Sequence, residues 1–195
     1  PSFSPGVVSL MLNETPPFVF EAPSGILSGR ERGEELLDRL MDHMRSCEPD
    51  GVTPLDFSDI SFMDISCADE FLSKLLMRIG SGELGNRYAY IQVANLSVRE
   101  TLEAVLQLRG LAALIRNEAG EVEILGSLKT PIREALDVVL EKKQGTSSEF
   151  AEALRKNINI ACNRLNALQK MGLICRVRDG SVPGGGRQFF YESIV

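Results

Sequence analysis

Residues 146–178 read TSSEFAEALRKNINIACNRLNALQKMGLICRVR. The stretch opens with Thr146 and carries Glu149 three places later. That spacing is a capping box, which starts a helix by satisfying its first backbone N–H groups reciprocally. KNIN (156–159) then reads as a turn. From within it onward, Ile158, Ala161, Leu165 and Leu168 recur at helical spacing. The pattern predicts a second helix from about Ile160 to Met171, with Asn159 as its N-cap and Gly172 placed to end it. LICRVRDG, VPGGGR and QFFYESI follow, which reads as a hairpin around a glycine-rich loop. Upstream, Pro131 precedes Ile132, Ala135, Leu136, Val139 and Leu140, an amphipathic helix with Pro at a favourable early position. Three helices followed by a hairpin describe a winged helix-turn-helix.

The polar face of the last helix carries the chemistry. Asn159, Asn163, Asn166 and Lys170 lie opposite its apolar positions. Asparagine is a poor interior helix former, so this density calls for a capping or a functional reason. Asparagine can bond the N6/N7 edge of adenine, and a helix fits the major groove. Arg155, Lys156, Arg164 and Arg176 flank this face, where they are expected to neutralise phosphates. Arg187, just past Gly184–Gly186, is expected to grip DNA from the wing. The triple glycine sits in a hairpin rather than between a strand and a helix, so it reads as a wing rather than a phosphate cradle.

Charge divides the chain in the same way. Residues 1–126 hold 10 Lys and Arg against 20 Asp and Glu, net −10. Residues 127–195 hold 11 against 7, net +4. An acidic first part and a basic second part imply two units with different partners.

The segment TSSEFAEALRKNINIACNRLNALQKMGLICRVRDGSVPGGGRQFFYESI resembles the winged helices of MarR- and ArsR-like bacterial regulators. RLNALQKMGLI followed by a Gly-Arg wing carries the likeness. The metal-ligand cysteine motif of the metal-sensing members has no counterpart here.

The first part alternates differently. Val7–Leu12 and Pro17–Glu21 read as strands with ETPP as a turn between them. A helix follows through Leu36, Leu37, Leu40, Met41 and Met44. Pro54–Met63 reads as a strand, Ser66–Ile79 as a helix, Tyr88–Val93 as a strand and Ser97–Leu108 as a helix ending at Gly110. The apolar LAALI and a strand at Glu121–Leu125 close the unit. Such alternation implies a sheet with helices packed on it. The glycines at 25, 29 and 33 do not follow a strand in a dinucleotide-binding pattern.

GILSGRERGEELLDRL, PLDFSDISFMDISCADEFLSKLL and YIQVANLSVRETLEAVLQLRGL look like a STAS domain, the fold of bacterial anti-sigma-factor antagonists. DFSDISFMDISCADEFL in particular is similar to the STAS-like domain of unknown function of prokaryotic multidomain proteins. The resemblance implies a protein partner, a histidine-kinase-like ATPase among the options, and a phosphate acceptor directly after the Asp of the FMD motif. That Asp is Asp64, and the next residue is the apolar Ile65. Ser66, one place on, therefore has two readings. One is a phosphorylation site. The other, favoured by Asp69 three places later and Glu70 beside it, is the cap of the helix.

Together these readings predict an α/β (α+β) STAS-like domain with a mixed sheet over residues 1–126, and a winged helix-turn-helix domain over 127–195. The expected function is a cytoplasmic prokaryotic transcriptional regulator that binds double-stranded DNA through the second domain and a protein partner through the first. Pairing of half-sites points to a homodimer. The rival is a partner-switching adaptor in which both domains contact protein. The four cysteines lie at least 13 residues apart and read as free thiols, and His43 has no accompanying ligand or base. No metal, cofactor or catalytic activity is expected. No apolar run reaches the length of a membrane span, and PSFSPGVVSL lacks the basic flank of a secretory signal.

Overall fold

The computed structural model describes residues 12–178 and 189–195. The expected strand segment at 7–11, the glycines at 184–186 and Arg187 lie outside the described residues. In chain order the elements are β1 (Asn13–Glu14), β2 (Phe18–Val19), β3 (Ile26–Leu27), α1 (Arg30–Ser46), β4 (Gly51–Asp56), β5 (Phe62–Met63) and α2 (Ile65–Ala68). A π-helical turn, Asp69–Ser73, joins α2 to α3 (Lys74–Ser81). Then come β6 (Arg87–Val93), α4 (Leu96–Arg109), β7 (Ala112–Arg116) and β8 (Val122–Gly126). The chain finishes with α5 (Thr130–Lys142), β9 (Gln144–Thr146), α6 (Ser147–Ala153), α7 (Ile158–Lys170), β10 (Ile174–Arg178) and β11 (Phe189–Ser193).

The first unit is built on a mixed sheet of order β1-β4-β6-β7-β8, with β2 also on β4. Every pairing is parallel except the β7–β8 hairpin. Gly51–Leu55 of β4 is wholly buried, as a central parallel strand should be. Pro54 inside it lacks an amide donor, which a doubly paired strand normally excludes. The partner edge is broken at that point. β1 pairs Gly51 and Val52, β2 pairs Leu55 and Asp56, and Thr15–Pro17 bridge the gap. Pro54 thus faces the interruption between β1 and β2, where that edge of β4 has no ladder partner. The core behind the sheet is aromatic. Phe20 stacks on Phe57 with centroids 3.8 Å apart, and Phe71 meets Phe20 edge-on at 5.1 Å.

Several boundaries differ from expectation: the Pro17–Glu21 strand is only Phe18–Val19, the Ser66–Ile79 helix is broken by the π-helical turn, and α7 starts at Ile158 rather than Ile160. The strand expected at Pro54–Met63 is β4, which starts at Gly51, and a separate short β5. Backbone hydrogen bonds at Phe57–Ile60 turn the chain between them, and β5 pairs with β3 instead of the main sheet. ETPP was expected as a turn, yet Glu14 already belongs to β1.

The second unit runs helix, strand, helix, helix, hairpin, with sheet order β10-β11-β9. The capping box at Thr146 and Glu149 is formed, and Gly172 ends α7 at φ +75°. The short β9 was not legible beforehand. Its three residues QGT carry no alternation and become a strand only by pairing with β11.

Buried residues of both units form one continuous core. A Cβ on Gly80 of α3 would stand 2.2 Å from the Lys170 carbonyl oxygen at the end of α7, so only glycine allows this approach. The Leu12 amide donates to the Glu192 carboxylate at 3.3 Å.

Candidate nucleic-acid interface

Helix α7 starts because Asn157 caps it, its side-chain oxygen accepting from the Ile160 amide at 2.9 Å. This corrects the expectation that Asn159 is the cap. Asn159 instead lies inside the helix and is exposed. Ala161, Leu165 and Leu168 are fully buried and define the inner face. At about 100° per residue, Asn159, Asn163, Asn166 and Lys170 fall opposite that face. Asn159, Asn163 and Lys170 are exposed. Ile158, expected on the inner face, is 44% exposed, and Ile160 is 40% exposed.

The other expected contacts divide. Asn166 is half-buried, and its Oδ1 accepts from Arg176 Nη1 at 2.9 Å and from the Tyr191 hydroxyl at 3.1 Å. It ties α7 to the hairpin. Arg176 also lies over the Phe189 ring, 4.7 Å from its centroid. Arg164 is largely covered and pairs with Glu134 of α5 at 3.2 Å. Arg155 and Lys156 are exposed in the α6–α7 turn. Arg155 holds φ +52°, a left-handed conformation that usually selects glycine or asparagine. The exposed candidates are therefore Arg155, Lys156, Asn159, Asn163 and Lys170, while Arg164, Asn166 and Arg176 brace the unit. The brace was hidden from helical periodicity because it requires the hairpin to fold back onto α7.

This division has a measurable consequence. Asn166→Ala is expected to cost about 1–3 kcal/mol, because it leaves a buried phenol and a guanidinium without their acceptor. Asn163→Ala, at an exposed position, is expected to stay within about 0.5 kcal/mol of the parent. Chemical unfolding of the two variants checks this, and equal losses would show that Asn166 braces nothing.

Ser66 occupies the second site. Its expected role as helix cap is corrected: Asp64 caps α2, accepting from the Cys67 amide at 2.7 Å. The other Asp64 oxygen accepts from the Ser28 hydroxyl at 2.5 Å and the Gly29 amide at 2.9 Å. One carboxylate thus binds the start of α2 to the loop before α1. Burial pushes the Asp64 carboxyl up, but hydrogen bonds from Ser28, Cys67, Gly29 and Ser66 outweigh it and hold the group below its ordinary value. Ser66 itself is exposed and borders an open hollow with Ser28, Arg30 and Arg32.

The lowered Asp64 value sets a pH dependence. A depressed carboxyl contributes stability that is present above the unfolded value, here 3.8, and is lost as pH falls through the lower folded value. Asp64→Ala is expected to cost about 1–2 kcal/mol at neutral pH. The gap to the parent should close as unfolding is measured at pH values falling below 3.8. A gap constant across that range would mean that the carboxylate charge contributes nothing.

Two of the four thiols, Cys67 and Cys175, are buried. Burial pushes Cys67 and Cys175 up to about 11, which keeps both protonated at neutral pH. Among the described residues no group of three or more His, Cys, Asp and Glu is arranged to hold a metal ion. No helix among them is long and apolar enough to cross a membrane.

A scan against protein-family models finds no match, and neither does a search of curated proteins.

Proposed function

We propose that this chain is a DNA-binding transcriptional regulator, with a winged-helix unit that reads duplex DNA and a STAS-like unit that takes a protein partner. The observation that carries the reading is the two-sided α7. Its buried face is apolar, and its opposite face presents Asn159, Asn163 and Lys170 to solvent beside Arg155 and Lys156. The helix–strand–helix–helix–hairpin order supports it, and so does the net +4 charge of residues 127–195. A basic residue kept at a left-handed position in the turn has a reason to be there if it meets a phosphate.

The first unit, at net −10, is suited to protein rather than to DNA. Ile26 and Phe62 are register partners on neighbouring strands and are 48% and 46% exposed. Ile65, at 55%, follows at the start of α2. These apolar groups beside the exposed Ser66 fit a partner surface. Phosphorylation of Ser66 would put a charge at that surface, and intact-mass measurement of the purified chain reads it directly. A homodimer fits the pairing of half-sites and is tested by mass in solution.

A duplex titration at about 50 mM salt tests the DNA reading. Binding that weakens steeply with added salt is expected, and failure to bind any duplex at low salt overturns it. Asn163→Ala should relax base preference by about 1–3 kcal/mol. The rival adaptor reading draws on the exposed Ile158 and Ile160, which also suit a protein contact. It takes over if α7 variants abolish partner capture while no duplex is bound.

A further inference from the structure

We infer that α7 reads A·T base pairs, with Asn159 and Asn163 bonding adenine and Ile160 contacting the thymine methyl group; this rests on the DNA reading above. Three observations converge. Asn159 and Asn163 are exposed one helical turn apart on the outward face. The asparagine amide offers one donor and one acceptor, which matches the N7 acceptor and N6 donor of adenine. Guanine presents two acceptors at that edge and would leave the asparagine oxygen facing an oxygen.

Ile160 is the second observation. It is 40% exposed and lies on the flank that continues through Asn163 to Ala167, at i, i+3 and i+7. An isoleucine there has no role in the core. Against a thymine methyl it buries apolar surface, whereas against the cytosine amino group it would desolvate a donor without replacing its hydrogen bond.

The third observation is where the arginines are. Arginine is the commonest reader of guanine. Arg164 is held by Glu134, and Arg176 is held by Asn166 and stacked on Phe189. Lys170 sits at the far end of α7, where its own carbonyl backs onto Gly80 of the first unit. Arg155 and Lys156 precede the helix. The base-reading part of the helix is therefore left with amides and an aliphatic side chain.

The test uses the full chain and a pool of duplexes with a randomised centre. Selection is expected to enrich sites with an A·T core. Within an enriched duplex, replacing core thymines by deoxyuridine removes only the methyl group and is expected to weaken binding about fivefold or more. Replacing core adenines by 7-deazaadenine removes N7 and should weaken binding about tenfold. Ile160→Ala should erase the deoxyuridine effect, and Asn163→Ala the 7-deazaadenine effect. Enrichment of a G·C core overturns the inference while leaving DNA binding intact. So does indifference to both base replacements. Failure of the chain to bind any duplex at low salt removes the DNA reading itself, and this inference with it.

Discussion

Gly126→Ala is expected to lose about 2–4 kcal/mol of stability, through left-handed strain and overpacking together. Gly126 ends β8 at φ +90°, where the chain passes from the first unit to the second. An added Cβ would lie 2.2 Å from the Leu111 carbonyl oxygen and 3.0 Å from the Leu106 Cβ. Neither neighbour has room to give. Leu106 is fully buried, and the Leu111 carbonyl accepts from the Ser127 amide at 3.3 Å. The Gly126 amide is itself held by Glu103 of α4 at 2.8 Å. Gly82→Ala separates the two terms. Its φ is +80°, yet nothing lies within 4 Å of its Cβ position. It should carry only the conformational cost of about 1–2 kcal/mol. Urea midpoints at unchanged slope read both losses. Equal losses in the two variants would show that the close approach at Gly126 costs nothing.

That junction bears on how the two units work together. Gly126 is clamped to α4 and β7, and Gly80 lets α3 touch the end of α7. The exposed turn and first turns of α7 are left at the opposite end from this contact. The contact with the first unit therefore holds the C-terminal end of α7 and leaves its N-terminal end open. A partner bound at Ile26, Phe62 and Ile65 would act on a body whose two units share one core.

The elements that depend on local chemistry were legible in the sequence. The Thr146–Glu149 capping box, Pro131 at the start of α5 and the left-handed glycines after α4 and α7 all form as their spacing predicts. Caps failed twice in one way. Each time the chain offers two cap-forming residues two places apart, Asp64 and Ser66, then Asn157 and Asn159, and the first of each pair takes the role. The earlier residue wins at α2 because its second oxygen is also claimed by Ser28 and Gly29, thirty-five or more positions away in sequence. No local pattern carries that information. The candidate interface was half legible for the same reason. The polar face of α7 follows from periodicity, but the removal of Asn166, Arg164 and Arg176 from it depends on Tyr191 and Glu134, which only the folded chain brings near.

The remaining large effect is electrostatic. Arg155, Lys156 and Lys170 are exposed, so replacing all three by Gln is expected to leave unfolding nearly unchanged. Duplex binding should respond strongly. Each phosphate contact contributes about 0.9 to the slope of log affinity against log salt, so losing three lowers the slope by about 2.7. Raising salt from about 50 to 200 mM should then weaken the triple variant about 40-fold less than the parent. Asn163→Ala provides the contrast. On the proposed DNA reading it would remove a base contact and no phosphate contact, so its titration should run parallel to the parent's at lower affinity. The two variants thus separate charge from reading on a single pair of axes. An unchanged slope in the triple variant would mean that these side chains meet no phosphates, and the basic turn would then have to be read as a surface for protein.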